Sequence, residues 1–460
     1  MENKKFRIDW GVIAIIWALA WPTMLEQAMQ TAVQYIDTAM VGSLGTQATA
    51  AVGSTTTVNW LISSSISALS IGFLAFIAKA CGAKDKNSAS RAAAQAVLVT
   101  LVVGIFFTVL TVGLSSKVPV WMQVDKSIQS VASKYFLILY MPMLPRTASI
   151  IFGTVLRAAG DTKTPMKVAV AVNIINVVLN FLFIYPVRTM SVFGFEFTMF
   201  GLGFGVLGAA AASAIAFAVG GIYITVVLWR HPLVSPKGQS IAPDMHILTP
   251  CLKVALPNML QRFGTSFGYV AFASMINSVG EIATAAHTIA NTVESAFYIP
   301  GFGMQTAAAT LTGNAYGAKD RDMMNRITKM FIVIEVCLMT LSGAALFFAA
   351  EPLVNIFSNS DEVILLGTRV LKMVALSEPL YGVALITEGF LMGVGRTKTP
   401  FIYNIIGMWG VRILGTFIFT QILGYGLVAA WACMIAHNVL LCCLYFISYV
   451  RGKWNPLNNI

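Results

Sequence analysis

The chain has 460 residues, of which 57% are apolar and only 11% charged, and its mean hydropathy is +0.77. Soluble domains carry about a quarter of charged residues, so this composition excludes an aqueous globular enzyme. A net charge of +11 would suggest nucleic acid for a soluble protein; in so apolar a chain it reads first as membrane topology and attraction to anionic lipid.

A bilayer-crossing helix uses about 20 apolar residues, so at roughly 38 residues per span and loop there is room for about twelve helices and no large extramembrane domain. In chain order the apolar runs place spans at 10–41, 50–79, 92–114, 128–156, 166–186 and 203–229. Six more follow at 248–276, 284–312, 326–349, 363–392, 400–422 and 425–449. The expected fold class is an all-α polytopic membrane protein of twelve transmembrane helices in two pseudo-twofold-related six-helix bundles. Its amino-terminal lobe is 1–229, its cytoplasmic linker 230–247 and its carboxyl-terminal lobe 248–460. Lys4, Lys5 and Arg7 precede a first run too long for the core of a cleaved signal peptide. Most Lys and Arg fall at the termini and in the even-numbered loops. The positive-inside rule therefore puts both termini and the linker in the cytoplasm, with the chain in the cell's inner (cytoplasmic) membrane. The six cysteines have no C-x-x-C spacing and read as reduced packing residues.

A constant offset of 235 residues superimposes separate segments of the two halves. Ala20-Trp21-Pro22 answers Ala255-Leu256-Pro257, and Ala48-Thr49-Ala50-Ala51 answers Ala283-Thr284-Ala285-Ala286. Gly82-Ala83-Lys84-Asp85 recurs as Gly317-Ala318-Lys319-Asp320, and Thr162-Lys163-Thr164-Pro165 as Thr397-Lys398-Thr399-Pro400. At Ala209-Ala210 against Ala429-Ala430 the offset drops to 220, so the first half carries an insertion around Arg188 to Gly203, expected as a surface loop. An even number of spans per copy relates the halves by an axis along the membrane normal, an arrangement typical of alternating-access transporters. No G-x-x-x-x-G-K-[ST] motif occurs, so transport is expected to run on an ion gradient without ATP.

Charged and polar side chains within spans mark function by default. Glu26, Gln30, Gln34 and Asp37 fall within about 80° of one another on the first span, a polar stripe that packing in lipid does not need. On the fifth span Asn173, Asn176 and Asn180 lie within about 60°. A carboxylate, two amide oxygens and a hydroxyl suit sodium or a proton relay, and interhelical hydrogen bonding is the bland alternative for the Asn residues. The second half holds Arg262, Glu294, Glu378, Glu388 and Arg412 within apolar runs. Opposite signs there are expected to pair, as packing or gating groups or as substrate contacts. Arg146, near Pro142 and Pro145, is expected to snorkel to the external interface. His287 and His437 stand alone and read as packing residues. No nucleophile–base constellation appears, so no enzyme is expected.

The order of Pro22, Asp37, the G-A-K-D loops and the G-D-T-K-T-P loop at 160–165 resembles the multidrug and toxic compound extrusion (MATE) family over nearly the whole chain. That resemblance implies a bilobed antiporter exporting small amphiphilic, often cationic organic compounds in exchange for sodium ions or protons. It further implies, for the NorM-like branch, a cation site made by Asp37, Asn176, Asn180, the Ala209 carbonyl and the Ser213 hydroxyl, with Ser in place of the family's Thr. Sodium is favoured by the number of neutral oxygens, and the proton stays open. The second half has Phe272, Gly415 and Cys433 at the matching positions, so the site is expected in one lobe only. Thr265 and Tyr381 stand where some members carry a second-lobe carboxylate pair. Gln34, Asn173, Arg262, Glu294, Glu388 and Arg412 are the candidates for substrate contact or gating. The expected partners are small organic substrates and membrane lipids, with no cofactor beyond the coupling ion, no nucleic acid, and a monomeric chain. A lipid-linked precursor flippase of the same superfamily is the alternative, using Arg262 and Arg412 for a phosphorylated head group.

Overall fold

The computed structural model describes residues 9–122, 124–192 and 195–459; Lys4, Lys5 and Arg7 lie outside them. The first half runs through α1 (Trp10–Gly42), α2 (Thr46–Gly82), α3 (Lys86–Leu114), a single turn α4 (Val118–Trp121), α5 (Gln129–Tyr140), α6 (Met143–Ala158) and α7 (Lys163–Phe183). A hairpin of β1 (Pro186–Val192) and β2 (Phe195–Leu202) then leads to α8 (Gly205–Arg230). The second half runs through α9 (Met245–Asn277), α10 (Glu281–Phe297), α11 (Ile299–Gly317), α12 (Arg321–Phe357), α13 (Asp361–Ala375) and α14 (Glu378–Gly393). Residues 398–422 wind as α15 (Lys398–Ile405), a π-helical stretch Ile406–Ile413, the short α16 (Leu414–Thr416) and a second π-helical stretch Phe417–Ile422, before α17 (Leu427–Val450).

Among the described residues eight helices are long and apolar enough to cross a bilayer alone, and α5–α6 and α13–α14 do so as pairs bent by 48° and 52°. Helix α9 and the pair α10–α11 hold the seventh and eighth places of the twelve-helix order. Lys253, Gln261 and Arg262 dilute the first, and Glu281 and Glu294 the second. Three spans expected to be continuous are interrupted, at Met141–Pro142, at Tyr298 and at Leu376–Ser377. Each break sits within three residues of a proline (Pro142, Pro300, Pro379), which has no N–H to donate to the carbonyl four residues back and whose ring crowds that carbonyl. The insertion expected as a surface loop is also different. It forms a two-stranded antiparallel hairpin with Arg188 opposite Met199, because pairing satisfies backbone groups that a loop would have to leave to water.

The repeated motifs are turn chemistry. Lys84 and Lys319, 235 residues apart, are the two non-glycine residues with positive φ among those described, at 57° and 55°. Each ends a helix in the left-handed region, where the Asp85 and Asp320 amides donate back to the Ala80 and Ala315 carbonyls. The Asp320 side chain then caps α12 by accepting from the Met323 amide at 2.8 Å. Gly160 and Gly395 repeat the left-handed turn at φ 88° and 76°. Asp161 follows the first of them and accepts from the Thr164 amide at 3.0 Å at the start of α7.

Contacts divide the chain into two compact units: Met1–Ala28, Leu74–Asp85 and Pro250–Ile460 form one, and Met29–Phe73 with Lys86–Thr249 the other. Helices α1 and α2 therefore each change company along their length. In the first unit Ile16 and Ala20 join a core of Met304, Phe331, Phe390 and Tyr445. A second cluster gathers Phe272, Leu346, Val370 and Trp431. Thr23 donates to the carbonyls of Ala20 and Gly303, each at 2.8 Å. The ends of α2 and α11 meet backbone to backbone, again with the repeat's symmetry. A Cβ on Gly82 would stand 1.9 Å from the Asn314 oxygen, and one on Gly317 would stand 1.8 Å from the Lys79 oxygen. Only glycine fits at either place.

In the second unit the segment after α8 is strapped to α3. Gln95, 2% exposed, donates to the Ala242 carbonyl at 2.8 Å and accepts from the Asp244 amide at 3.0 Å. Arg91 pairs with Asp244 at 2.5 Å. At the start of this segment the Leu233 and Val234 amides donate to His231 Nδ1 at 3.3 and 3.4 Å, and burial lowers the His231 pKa from its ordinary 6.5, with Asp161 opposing.

Candidate cation-coupling site

The polar residues of α1, α7 and α8 meet inside the second unit. Asn176 and Asn180, one turn apart on α7, are 3% and 0% exposed. Asn180 Nδ2 donates to Asp37 Oδ1 on α1 at 2.6 Å and to Asn176 Oδ1 at 3.1 Å. Asn176 Nδ2 donates in turn to Ser213 Oγ on α8 at 2.9 Å. Ala209, one turn before Ser213, is buried beside it on α8. A carboxylate can only accept, so it fixes the Asn180 amide with its nitrogen toward Asp37. The consequence is that Asn180 Oδ1 is buried with no donor. A buried carbonyl oxygen without a partner is costly, and this one lies in a set of oxygens that suits a hard monovalent cation. No Lys, Arg or His among the described residues lies within ion-pair reach of Asp37. The carboxylate is half-buried, so an ion can reach it.

Asn173 is buried too, but its amide nitrogen has no partner and makes no bond to this chain of groups. Gln34 is exposed, and its carbonyl accepts from Thr38 at 2.7 Å. Arg146 does not snorkel. It is 8% exposed, its Nη2 donates to Asn59 at 2.6 Å and Ser63 at 3.0 Å, and its guanidinium lies over the Phe217 ring at 4.7 Å. Polar groups on α2 and an aromatic face on α8 offer it partners that an apolar interface would not.

The second-half charges belong to the first unit, and they do not pair as expected. Glu388 accepts from Gln261 at 2.8 Å and Asn404 at 3.4 Å, and Arg262 Nε donates to Asn258 at 3.2 Å. Arg412, in the first π-helical stretch, lies over the rings of Phe272 at 4.1 Å and Tyr269 at 4.8 Å. Neutral amides and aromatic faces thus make the direct contacts to these charges, which form no ion pair with one another among the described residues. Phe272 occupies the repeat position of Asp37, so the second half sets an aromatic ring under a cation where the first sets a carboxylate. His287 is sandwiched between the Phe272 and Trp431 rings at 5.6 and 5.9 Å, a packing environment. Glu335 on α12 escaped the sequence reading. It is 0% exposed and neither carboxylate oxygen has a hydrogen-bond partner. Its signal was available, as one acid in the apolar run from Met330 to Met339.

The chain is similar to known proteins over nearly its whole length. Over 436 residues the chain is 27% identical to the probable multidrug resistance protein NorM of Thermotoga maritima, covering 95% of this chain and 92% of that protein. It is 23% identical over 415 residues to the probable multidrug resistance protein YoeA of Bacillus subtilis, covering 89% and 87%. Among solved structures, the outward-facing conformation of a multidrug resistance MATE family transporter of the MOP superfamily superposes with a TM-score of 0.88 at 23% identity, over 99% of this chain and 100% of that one. A MOP superfamily transporter from Pyrococcus furiosus, described as having a binding pocket of reverse polarity, gives 0.87 at 23% identity, over 98% and 100%. These structures share the fold. The MatE family profile matches twice, at residues 22–182 and 257–418, reproducing the offset that the repeated motifs reveal, and on that double match the chain belongs to the MatE family.

Proposed function

We propose that the chain is a cation-coupled antiporter, a transporter and not an enzyme, that exports small amphiphilic, cationic organic compounds by alternating access. It works in the cytoplasmic membrane with both termini in the cytoplasm. The efflux reading leans on the names of its relatives. The observation that carries the coupling reading is the bonded series Asp37–Asn180–Asn176–Ser213, which leaves the Asn180 oxygen buried and without a donor. Asp37 supplies the charge, Asn180 and Ser213 supply neutral oxygens, and Asn176 holds the two helices α7 and α8 in register around them.

Sodium is the ion this set favours, since a proton needs one carboxylate oxygen and no further ligands. One sodium moving down a tenfold gradient releases about 1.4 kcal/mol, enough for about tenfold accumulation in one-for-one exchange with a monovalent cation, where the membrane potential cancels; a neutral substrate or a second coupling ion would add the roughly 2.3 kcal/mol of 100 mV. The flippase alternative leaned on Arg262 and Arg412; Arg412 is 4% exposed under the Phe272 and Tyr269 rings and Arg262 Nε is engaged by Asn258, which speaks against an open cationic head-group site. The test is efflux of a fluorescent cationic dye from proteoliposomes, with a sodium gradient and a pH gradient imposed separately. Efflux accelerated by sodium supports the reading. Efflux indifferent to both gradients overturns it.

A further inference from the structure

We propose that Glu335 is a proton-binding site of the second half, separate from the Asp37 site: it holds a proton in the packing described here and exchanges it with water when α12 parts from α11 and α14. The first observation is the emptiness of hydrogen bonds around it. Glu335 is 0% exposed, and both Oε1 and Oε2 are buried without a partner. A carboxylate stripped of water and given no donor is among the costliest groups a protein can bury, and such a group takes up a proton instead.

The second observation is a slot shaped around the acid. A Cβ on Gly301 of α11 would stand 2.9 Å from Glu335 Oε1, and one on Gly382 of α14 would stand 3.2 Å from its Cγ. Two glycines thus clear the space that the carboxyl group fills. Leu385 and Met339 close the same slot with apolar atoms. It therefore holds no second oxygen to complete a sodium shell.

Of the elements packed against α12, α10 carries Glu281, His287 and Glu294, α11 carries Tyr316, α13 carries Asp361, Glu362, Arg369 and Lys372, and α14 carries Glu378, Tyr381 and Glu388; Tyr298 sits at the α10–α11 break. None of them bonds to Glu335. Arg369 is exposed and Lys372 lies over the Phe347 ring at 5.8 Å, so no cation compensates the acid. The nearest change that could ionise it is mechanical. Separating α12 from the Gly301 and Gly382 faces admits water, the O–H bond breaks, the proton leaves to that water, and the carboxylate stays hydrated until the helices close again.

The experiment is infrared difference spectroscopy on the full-length protein in lipid, without and then with turnover of a cationic dye in heavy water. The protonated-carboxyl absorption at neutral pH should lose one component in Glu335→Gln that Glu378→Gln and Asp37→Asn both leave in place, Glu378 being a second buried acid with an unpartnered oxygen, and that component should shift by isotope exchange within the time of turnover. In Glu335→Gln the steepness of dye efflux against external pH should fall by about one proton. If Glu335→Gln does not accumulate, Glu335→Asp should displace the band. A spectrum unchanged by both substitutions overturns the proposal, as does a band that never exchanges during turnover. Persistence of the band in Asp37→Asn keeps this outcome separate from the fate of the Asp37 reading.

Discussion

Replacing Asn180 by Ala isolates what the buried amide contributes. The substitution deletes the bond to Asp37 Oδ1 at 2.6 Å and the bond to Asn176 Oδ1 at 3.1 Å. It also deletes the one oxygen of this set that is buried without a donor. A hydrogen bond to a charged group is worth about 1.5–3 kcal/mol, and a neutral one about 1. Part of that total is lost from the ion-free protein as well, so only the ligand and the positioning of Asp37 count toward ion affinity. Taking roughly 1.4–2.8 kcal/mol for that share, the sodium concentration giving half-maximal efflux should rise about tenfold to a hundredfold. Dye efflux from proteoliposomes, titrated with sodium on the trans side, reads this directly. Asn173→Ala is the control, because Asn173 is buried on the same helix without bonding to the series, and its half-maximal concentration should match the parent's. A sodium titration of Asn180→Ala within twofold of the parent's would refute the reasoning.

Three further outcomes follow from the geometry. Lys319 carries φ of 55°, a conformation that costs an L-residue about 1–2 kcal/mol, of which glycine's extra chain entropy returns about half; Lys319→Gly should raise thermal stability in detergent by roughly 0.5–1 kcal/mol, and a lower melting temperature would contradict the turn assignment. His231 must stay neutral for its Nδ1 to accept from Leu233 and Val234. Its folded pKa lies below 6.5, so its contribution is present above about that pH and is lost as pH falls toward the folded value. Protection from hydrogen exchange at 233–234, taken relative to the intrinsic rate at each pH, should fall on acidification, and should not fall in His231→Gln. Lys237 and Gly238 are exposed, so halves cut there and co-expressed should reassemble and restore efflux, whereas Gln95→Leu, which removes both backbone bonds at 242–244, should lower that recovery severalfold; halves that fold but never export would contradict it.

What could be read from the sequence depended on whether the signal was local. Asn176 and Asn180 announce a shared face because helical periodicity is enough to place them together, and the 235-residue offset needs no structure. Joining α1, α7 and α8 around Asp37 required more than periodicity, since no pattern within one helix says which neighbour it meets; the family resemblance supplied that step. The expectation that Arg262, Glu388 and Arg412 would pair by charge failed for a related reason. Gln261, Asn258, Asn404 and Phe272 are unremarkable in sequence, yet in space they satisfy those charges. The breaks near Pro142, Pro300 and Pro379 and the acid at Glu335 each leave one interruption in a long apolar run, which periodicity averages away. The G-A-K-D loops carried the resemblance, and in the structure both end a helix in the left-handed region, the second with Asp320 capping the next helix.

The most direct measurement compares parental and Asp37→Asn protein in matched proteoliposomes, following dye efflux under a sodium gradient and, separately, under a pH gradient of equal free energy. If the coupling ion binds at Asp37, the substitution should abolish concentrative efflux under the gradient that drives the parent, with protein incorporation unchanged. Efflux by Asp37→Asn at the parental rate under both gradients would contradict the assignment and leave coupling to the acids of the second half.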